Sequence, residues 1–178
     1  METTLYNSYI FKAMDAYPYN LEETIEALNY ALSYDKNNVQ ALCLMAKFSA
    51  EQLGDYETAK SYFAEALALK MENPMLYPDY IRVLIQNEDY QEAQKLLDFA
   101  LSIKGTDKAS LQLIQGQLLE VLMKWKEAKK AYKKALKMGC NSAFISFVEE
   151  EIKRVKQKLP HKKAKSKSKN KNKKKSVK

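Results

Sequence analysis

GDYETAKSYFAEALAL at 54–69, EDYQEAQKLLDFALSI at 88–103 and MKWKEAKKAYKKALKM at 123–138 are three copies of one pattern. The third residue of each is aromatic (Tyr56, Tyr90, Trp125) and is followed three places later by alanine (Ala59, Ala93, Ala128). Four places on comes Phe63, Leu97 or Tyr132, and three further an Ala-Leu pair (66–67, 100–101, 135–136). Offsets of three, four and seven return a side chain to one face of a helix, so each copy reads as an amphipathic helix with a small-large-small buried stripe. The alanines 59, 93 and 128 lie 34 and 35 residues apart. That period fits a helix pair that cannot bury its apolar face alone and does so by stacking on its neighbours.

The register continues towards the N-terminus. In LEETIEALNYALSYDKNN at 21–38, Thr24 takes the first alanine slot and Ala31-Leu32 supplies the pair, each 35 residues before its counterpart. The helix before this copy is expected over roughly 5–17. It should end ahead of Pro18, which disfavours helical geometry in its predecessor and has no amide proton to donate. Beyond Gly139, Asn141 or Ser142 can cap a last helix, with Phe144, Phe147, Val148, Ile152, Val155 and Leu159 on its apolar side. A helix over 142–159 would cover the apolar end of the stack. Pro160 ends it, and HKKAKSKSKNKNKKKSVK offers nothing to bury, so 160–178 is expected to be a disordered lysine-rich tail after a helical domain at 3–159.

The Ala/aromatic/Ala-Leu frame at this period resembles the tetratricopeptide repeat family over about three quarters of the chain. The resemblance implies an all-α fold: a right-handed superhelix of four antiparallel helix pairs with a C-terminal capping helix. Gly116 stands where the family keeps a small residue in the first helix of a pair. Lys47 and Ile81 hold that slot in the second and third repeats, which predicts less regular packing there.

Only four Gly and four Pro interrupt 178 residues of which 46% are hydrophobic, a composition for long helices rather than a turn-rich β fold. No run is apolar enough to span a membrane, and METTLYNSYIF has no basic segment followed by an apolar core, so a cytoplasmic address is expected. The net charge of +8 is distributed in blocks. Residues 162–178 contribute +10 and the rest −2; within that remainder, 1–123 carry −9 and 124–161 carry +7. Such polarity can orient a charged partner.

The family resemblance also implies where a partner sits, because the first helices of successive pairs line a concave groove. The groove positions fall on Leu44, Met45, Phe48 and Gln52, then Pro78, Asp79, Arg82 and Gln86, then Leu113, Ile114, Gln117 and Val121. They predict an apolar groove with one opposed charge pair, fit for a peptide or helix of a partner protein, although Leu44 and Ile114 can equally complete the core between repeats. Family members that grip acidic chaperone tails use a clamp of Lys, Arg and Asn. Here Arg82 is the principal cation, with Glu51 and Glu120 nearby, so that ligand is disfavoured.

A second surface lies on the last repeat. Lys126, Lys130, Lys133 and Lys137 recur at helical spacing, and the tail adds Lys162, Lys163, Lys173, Lys174 and Lys175. Together they predict a field for phosphate groups of RNA, DNA or anionic membrane, read by charge alone, and hence an alternative role as a nucleic-acid- or ribosome-associated adaptor. A solvated face or a solubilising tail would have the same composition.

Enzymatic chemistry finds little support. His161 lies beyond the last helix, Cys43 has no histidine to activate it, and Cys43 and Cys140 have neither metal-ligand nor disulfide-framework spacing. No phosphate-cradling glycine loop appears, so neither catalytic residue nor cofactor is assigned. A protein-interaction scaffold is the expected function.

Overall fold

The computed structural model describes residues 2–159, with side chains from residue 8 onward, and the lysine-rich segment falls outside the described residues. Among the described residues nine helices follow in order: α1 (Glu2–Ala16), α2 (Leu21–Tyr34), α3 (Val39–Gln52), α4 (Tyr56–Leu69), α5 (Leu76–Gln86), α6 (Tyr90–Ser102), α7 (Lys108–Val121), α8 (Trp125–Met138) and α9 (Ser142–Lys158). They form four consecutive pairs, α1–α2 to α7–α8, and α9 packs on α8 as a distinct C-terminal helix. This is the all-α stack of helix pairs that the repeat frame implies.

Helix starts are set by polar caps. Asn20, Asn38, Asp55, Asp107 and Asn141 each accept a backbone N–H from the first turn of the helix that follows. For α4, Asp55 accepts from the Thr58 amide at 3.0 Å and from its hydroxyl at 2.6 Å. These bonds hold the Asp55 carboxyl below its ordinary value. In the second, third and fourth pairs the short inner turn puts one residue in the left-handed region: Gly54, Glu88 and Met123, at φ 66°, 64° and 58°.

The repeating frame is the core. Thr24, Ala59, Ala93 and Ala128 are buried, as are Leu28, Phe63, Leu97 and Tyr132, and Ala31, Ala66, Ala100 and Ala135. Thr24 tolerates the alanine slot because its hydroxyl donates to the Asn20 carbonyl at 2.7 Å, leaving no unpaired polar group. The three unequal residues of the small slot are matched to their surroundings. A Cβ on Gly116 would sit 2.7 Å from Tyr132 Cζ and closer still to the ring edge, so the absence of a side chain makes room for a fully buried tyrosine. Ile81 is buried in one cluster with Leu97, which stands where the fourth repeat has the bulkier Tyr132. In the second repeat Ala46 joins Phe63 in that cluster, while Lys47 points out of it.

On α9, Val148, Ile152 and Val155 are buried against Ala128, Tyr132 and Ala135, as expected of the covering helix. Phe147 departs from the expectation and stands 49% exposed. One turn past Phe144, it lies beside the contact stripe rather than on it.

Candidate functional site

The first helices of the pairs touch one another in series, α1 on α3, α3 on α5, α5 on α7, and so make a continuous inner row. Three polar groups are set along it. At the N-terminal end the Tyr17 hydroxyl donates to Glu51; burial and this carboxylate push the phenol up to about 12. In the middle, Asp79 is shared by Lys47 at 2.8 Å from α3 and Arg82 at 3.0 Å from its own helix. The Lys47 bridge joins the second repeat to the third across the groove. Cys43 lies partly buried behind it, and burial, followed by the Asp79 charge, pushes its thiol up to about 11.

At the C-terminal end Glu120 of α7 is only 7% exposed and fully paired. Arg154 of α9 donates to both its oxygens, at 2.7 and 2.9 Å, the Tyr132 hydroxyl donates at 2.6 Å, and Lys158 approaches at 3.5 Å. Arg154 also pairs with Glu151, which holds the guanidinium protonated more firmly than usual. Burial, then the hydrogen bond to Glu120, moves the Tyr132 phenol far upward. Two-pronged donation to a carboxylate this deep fixes orientation as well as charge, so the network joins the last helix to the end of the inner row. Beside it Gln117, Val121 and Phe147 line a shallow hollow between α7 and α9.

The expected groove residues divide into two sets. Gln52, Arg82, Gln86 and Val121 are exposed, and Leu44, Pro78, Asp79 and Gln117 are half-buried. Met45, Phe48 and Leu113 are instead 5%, 7% and 6% exposed, and Ile114 is fully buried, which corrects the expectation of an apolar groove. Met45 belongs to the core of the first two repeats with Ile10, Ala13 and Leu28. Leu113 packs with Tyr132, Val148 and Ile152. An inner helix is gripped by its neighbours on both sides, so only a narrow line of its side chains meets solvent, and on α3 that line carries Lys47 and Glu51. The groove is polar and charged, with Leu44 and Val121 as apolar points. The opposed pair Asp79–Arg82 is present as expected; the participation of Lys47, Tyr17 and the Glu120–Arg154 network was not anticipated. The Lys47–Asp79 pair joins side chains 32 positions apart and Glu120–Arg154 34 apart, separations at which sequence gives no pairing signal.

Lys126, Lys130, Lys133 and Lys137 are all exposed on α8. Lys162, Lys163, Lys173, Lys174 and Lys175 lie outside the described residues. Both cysteines are free thiols, and Cys43 is shifted away from the thiolate a nucleophile needs. Among the described residues no cluster of His, Cys, Asp and Glu is placed to hold a metal, and no helix is long and apolar enough to cross a membrane.

The family model of the tetratricopeptide repeat matches residues 50–118. No curated protein sequence matches the chain. Among solved structures, PilF of Pseudomonas aeruginosa is similar with a TM-score of 0.77 at 20% identity, over 88% of this chain and 70% of that one. MamA from Desulfovibrio magneticus RS-1, from residue 41 to its end, gives 0.66 at 19% identity over 88% and 90%. The first repeat domain of Spaghetti (RPAP3), bound to an HSP90 peptide SRMEEVD, gives 0.58 at 18% identity over 70% and 94%. At such identities the likeness is one of fold.

Proposed function

We propose, from the tetratricopeptide repeat match over residues 50–118 and the stack of helix pairs around it, that the chain is a protein-interaction scaffold whose inner face receives a peptide or helix of a partner. The observation that carries this reading is the line of accessible polar side chains along the inner row. Gln52 and Gln86 are exposed 34 residues apart, at the same place in successive repeats, and Gln117 follows on α7. Primary amides spaced along the row, with Gln117 one turn before the place that Val121 holds on α7, can donate to and accept from a peptide backbone whatever its sequence. Lys47, Asp79 and Arg82 between them supply charge selection, and Leu44 and Val121 supply apolar contact. Stacked repeats use such concave surfaces for binding, and nothing in the row is shaped for catalysis.

The charge pattern argues against an acidic terminal peptide of the HSP90 kind. Lys47 and Arg82 are already committed to Asp79, Arg154 is committed to Glu120, and Glu51 adds an exposed carboxylate. A partner segment with basic or neutral polar side chains meets less repulsion.

The test is site-specific photo-crosslinking in the source cell. A crosslinking residue at Gln52 or Gln86, on the inner row, is expected to capture a discrete partner. The same residue at Glu65 or Lys95, exposed on second helices, is expected not to. Equal capture from both faces, or none from the inner row, overturns the proposal.

A further inference from the structure

The outward face of α8 carries positive charge that the repeat fold does not require. Six lysines and one acid, Glu127, lie within Trp125–Met138. Lys126, Lys130, Lys133, Lys134 and Lys137 are exposed, and among the described residues none of the six is in an ion pair. The earlier copies serve as internal controls, since they build the same helix with single lysines, Lys60 at the place of Lys129 in one and Lys95 at the place of Lys130 in the other, and with other residues at the remaining exposed places. Lys126 corresponds to Glu57 and Gln91, Lys133 to Ala64 and Asp98, Lys134 to Glu65 and Phe99, and Lys137 to Ala68 and Ser102. Like charges three and four apart weaken an isolated helix, so this face opposes helix formation. Solubility accounts for charge on a surface but not for one sign gathered on one helix.

We propose that the outer face of α8 binds the phosphate backbone of double-stranded nucleic acid, without reading its sequence. Lys126, Lys130, Lys133 and Lys137 form a stripe about 16 Å long at 1.5 Å per residue. A duplex presents a phosphate charge about every 1.7 Å of axis, so several phosphates lie within reach of this stripe. Lysine acts as a point charge, and α8 has no arginine with which to read a base edge in two-pronged fashion. It also lacks a free aromatic platform for unstacked bases: Tyr132 is buried and Trp125 lies beneath the Lys158 ammonium at 4.8 Å. An anionic bilayer fits less well, because the apolar side of α8 (Ala128, Ala131, Tyr132, Ala135) is buried in the stack and cannot insert. The surface is separate from the inner row, so both partners can bind together.

The test uses the full chain, so that the lysine-rich segment is constant throughout. Binding to a mixed-sequence 20-base-pair duplex and to a single strand is measured by fluorescence anisotropy at about 50 and 200 mM salt. The variants are Lys130→Glu/Lys133→Glu/Lys137→Glu and a control of equal charge change, Lys36→Glu/Lys70→Glu/Lys104→Glu, at exposed positions between repeats. The α8 variant is expected to weaken duplex binding at least about tenfold at the lower salt and to flatten the salt dependence by the equivalent of two to three phosphate contacts; the control is expected to stay within about twofold. If the reversal variant loses its helical spectrum, the same three positions as glutamine are expected to give a smaller loss in the same direction. Equal effects of the two triple variants, absence of binding at the lower salt, preference for the single strand, or tighter binding to phosphatidylserine vesicles overturns the proposal.

Discussion

The turn residues Gly54, Glu88 and Met123 occupy one left-handed position in three repeats, and only the first is glycine. An L side chain there costs about 1–2 kcal/mol against right-handed geometry, while glycine gives back about 0.5–1 kcal/mol through the freer unfolded chain. Met123→Gly is therefore expected to stabilise by about 0.5–1 kcal/mol, and Glu88→Gly by a similar amount, measured as a rise in the urea midpoint. Gly116 is the opposite case. Its missing Cβ is the space Tyr132 occupies, and neither the helix backbone nor the buried ring can retreat freely, so Gly116→Ala is expected to destabilise by about 1–3 kcal/mol in the same assay. The cysteines give a check on packing. In native protein a disulfide reagent at pH 8 is expected to label exposed Cys140 quickly and Cys43 much more slowly, because Cys43 is partly buried and its thiol is held up at about 11.

At the scale of single helices, capping varies more than the repeat pattern does. Asp55 caps α4 with a side-chain bond, whereas Lys124 at the same place before α8 has none to offer. Lys124→Asp is expected to add about 1 kcal/mol through the cap and a favourable charge at the helix start, read from the thermal midpoint. The native caps also set an acid limit. Asp55 is lowered below its ordinary 3.8 by bonds from Thr58. Asp107 is lowered because bonds from Ser110 and Ala109 outweigh the burial that raises it. A group depressed in the folded state contributes stability that is full above its unfolded value and is lost as pH falls through the lower folded one. Asp55→Asn with Asp107→Asn is thus expected to flatten the fall of the thermal midpoint below about pH 4. What was legible in the sequence follows the same division. Ala59, Phe63, Ala66 and their counterparts could be read as core because one helix face repeats them. The αL turn at Glu88, the exposure of Phe147 and the burial of Met45, Phe48 and Leu113 could not. The first is decided by how the chain closes between two helices and the others by how a neighbouring helix sits on the face, and spacing within one helix carries neither.

For the whole molecule, the two ends of the stack are finished differently. At the N-terminal end Phe11 and Met14 of α1 remain exposed, whereas at the C-terminal end α9 lays Val148, Ile152 and Val155 over the last repeat. Burying three such side chains is worth on the order of 5 kcal/mol, a large share of what holds a stack of this size together. The Glu120–Arg154–Tyr132 network adds orientation, and its removal would leave a buried carboxylate without its partner, which costs more than the pair contributes when intact. Two truncations separate these contributions from the segment that follows. Ending the chain after Leu159 removes only residues beyond the packed helix and is expected to leave the thermal midpoint nearly unchanged. Ending it after Gly139 strips α9, opens Leu113, Ala128, Tyr132 and Ala135 to water and takes Arg154 and Lys158 from Glu120 in one step. That chain is expected to melt well below the other and to self-associate in light scattering, because an uncovered repeat face seeks another apolar surface. Arg154→Ala in the full chain isolates the charge term, with an expected loss of about 1–3 kcal/mol and no self-association, since the apolar cover stays in place. Equal midpoints for the two truncations would mean that α9 is a passenger on α8 rather than the closing element of the stack.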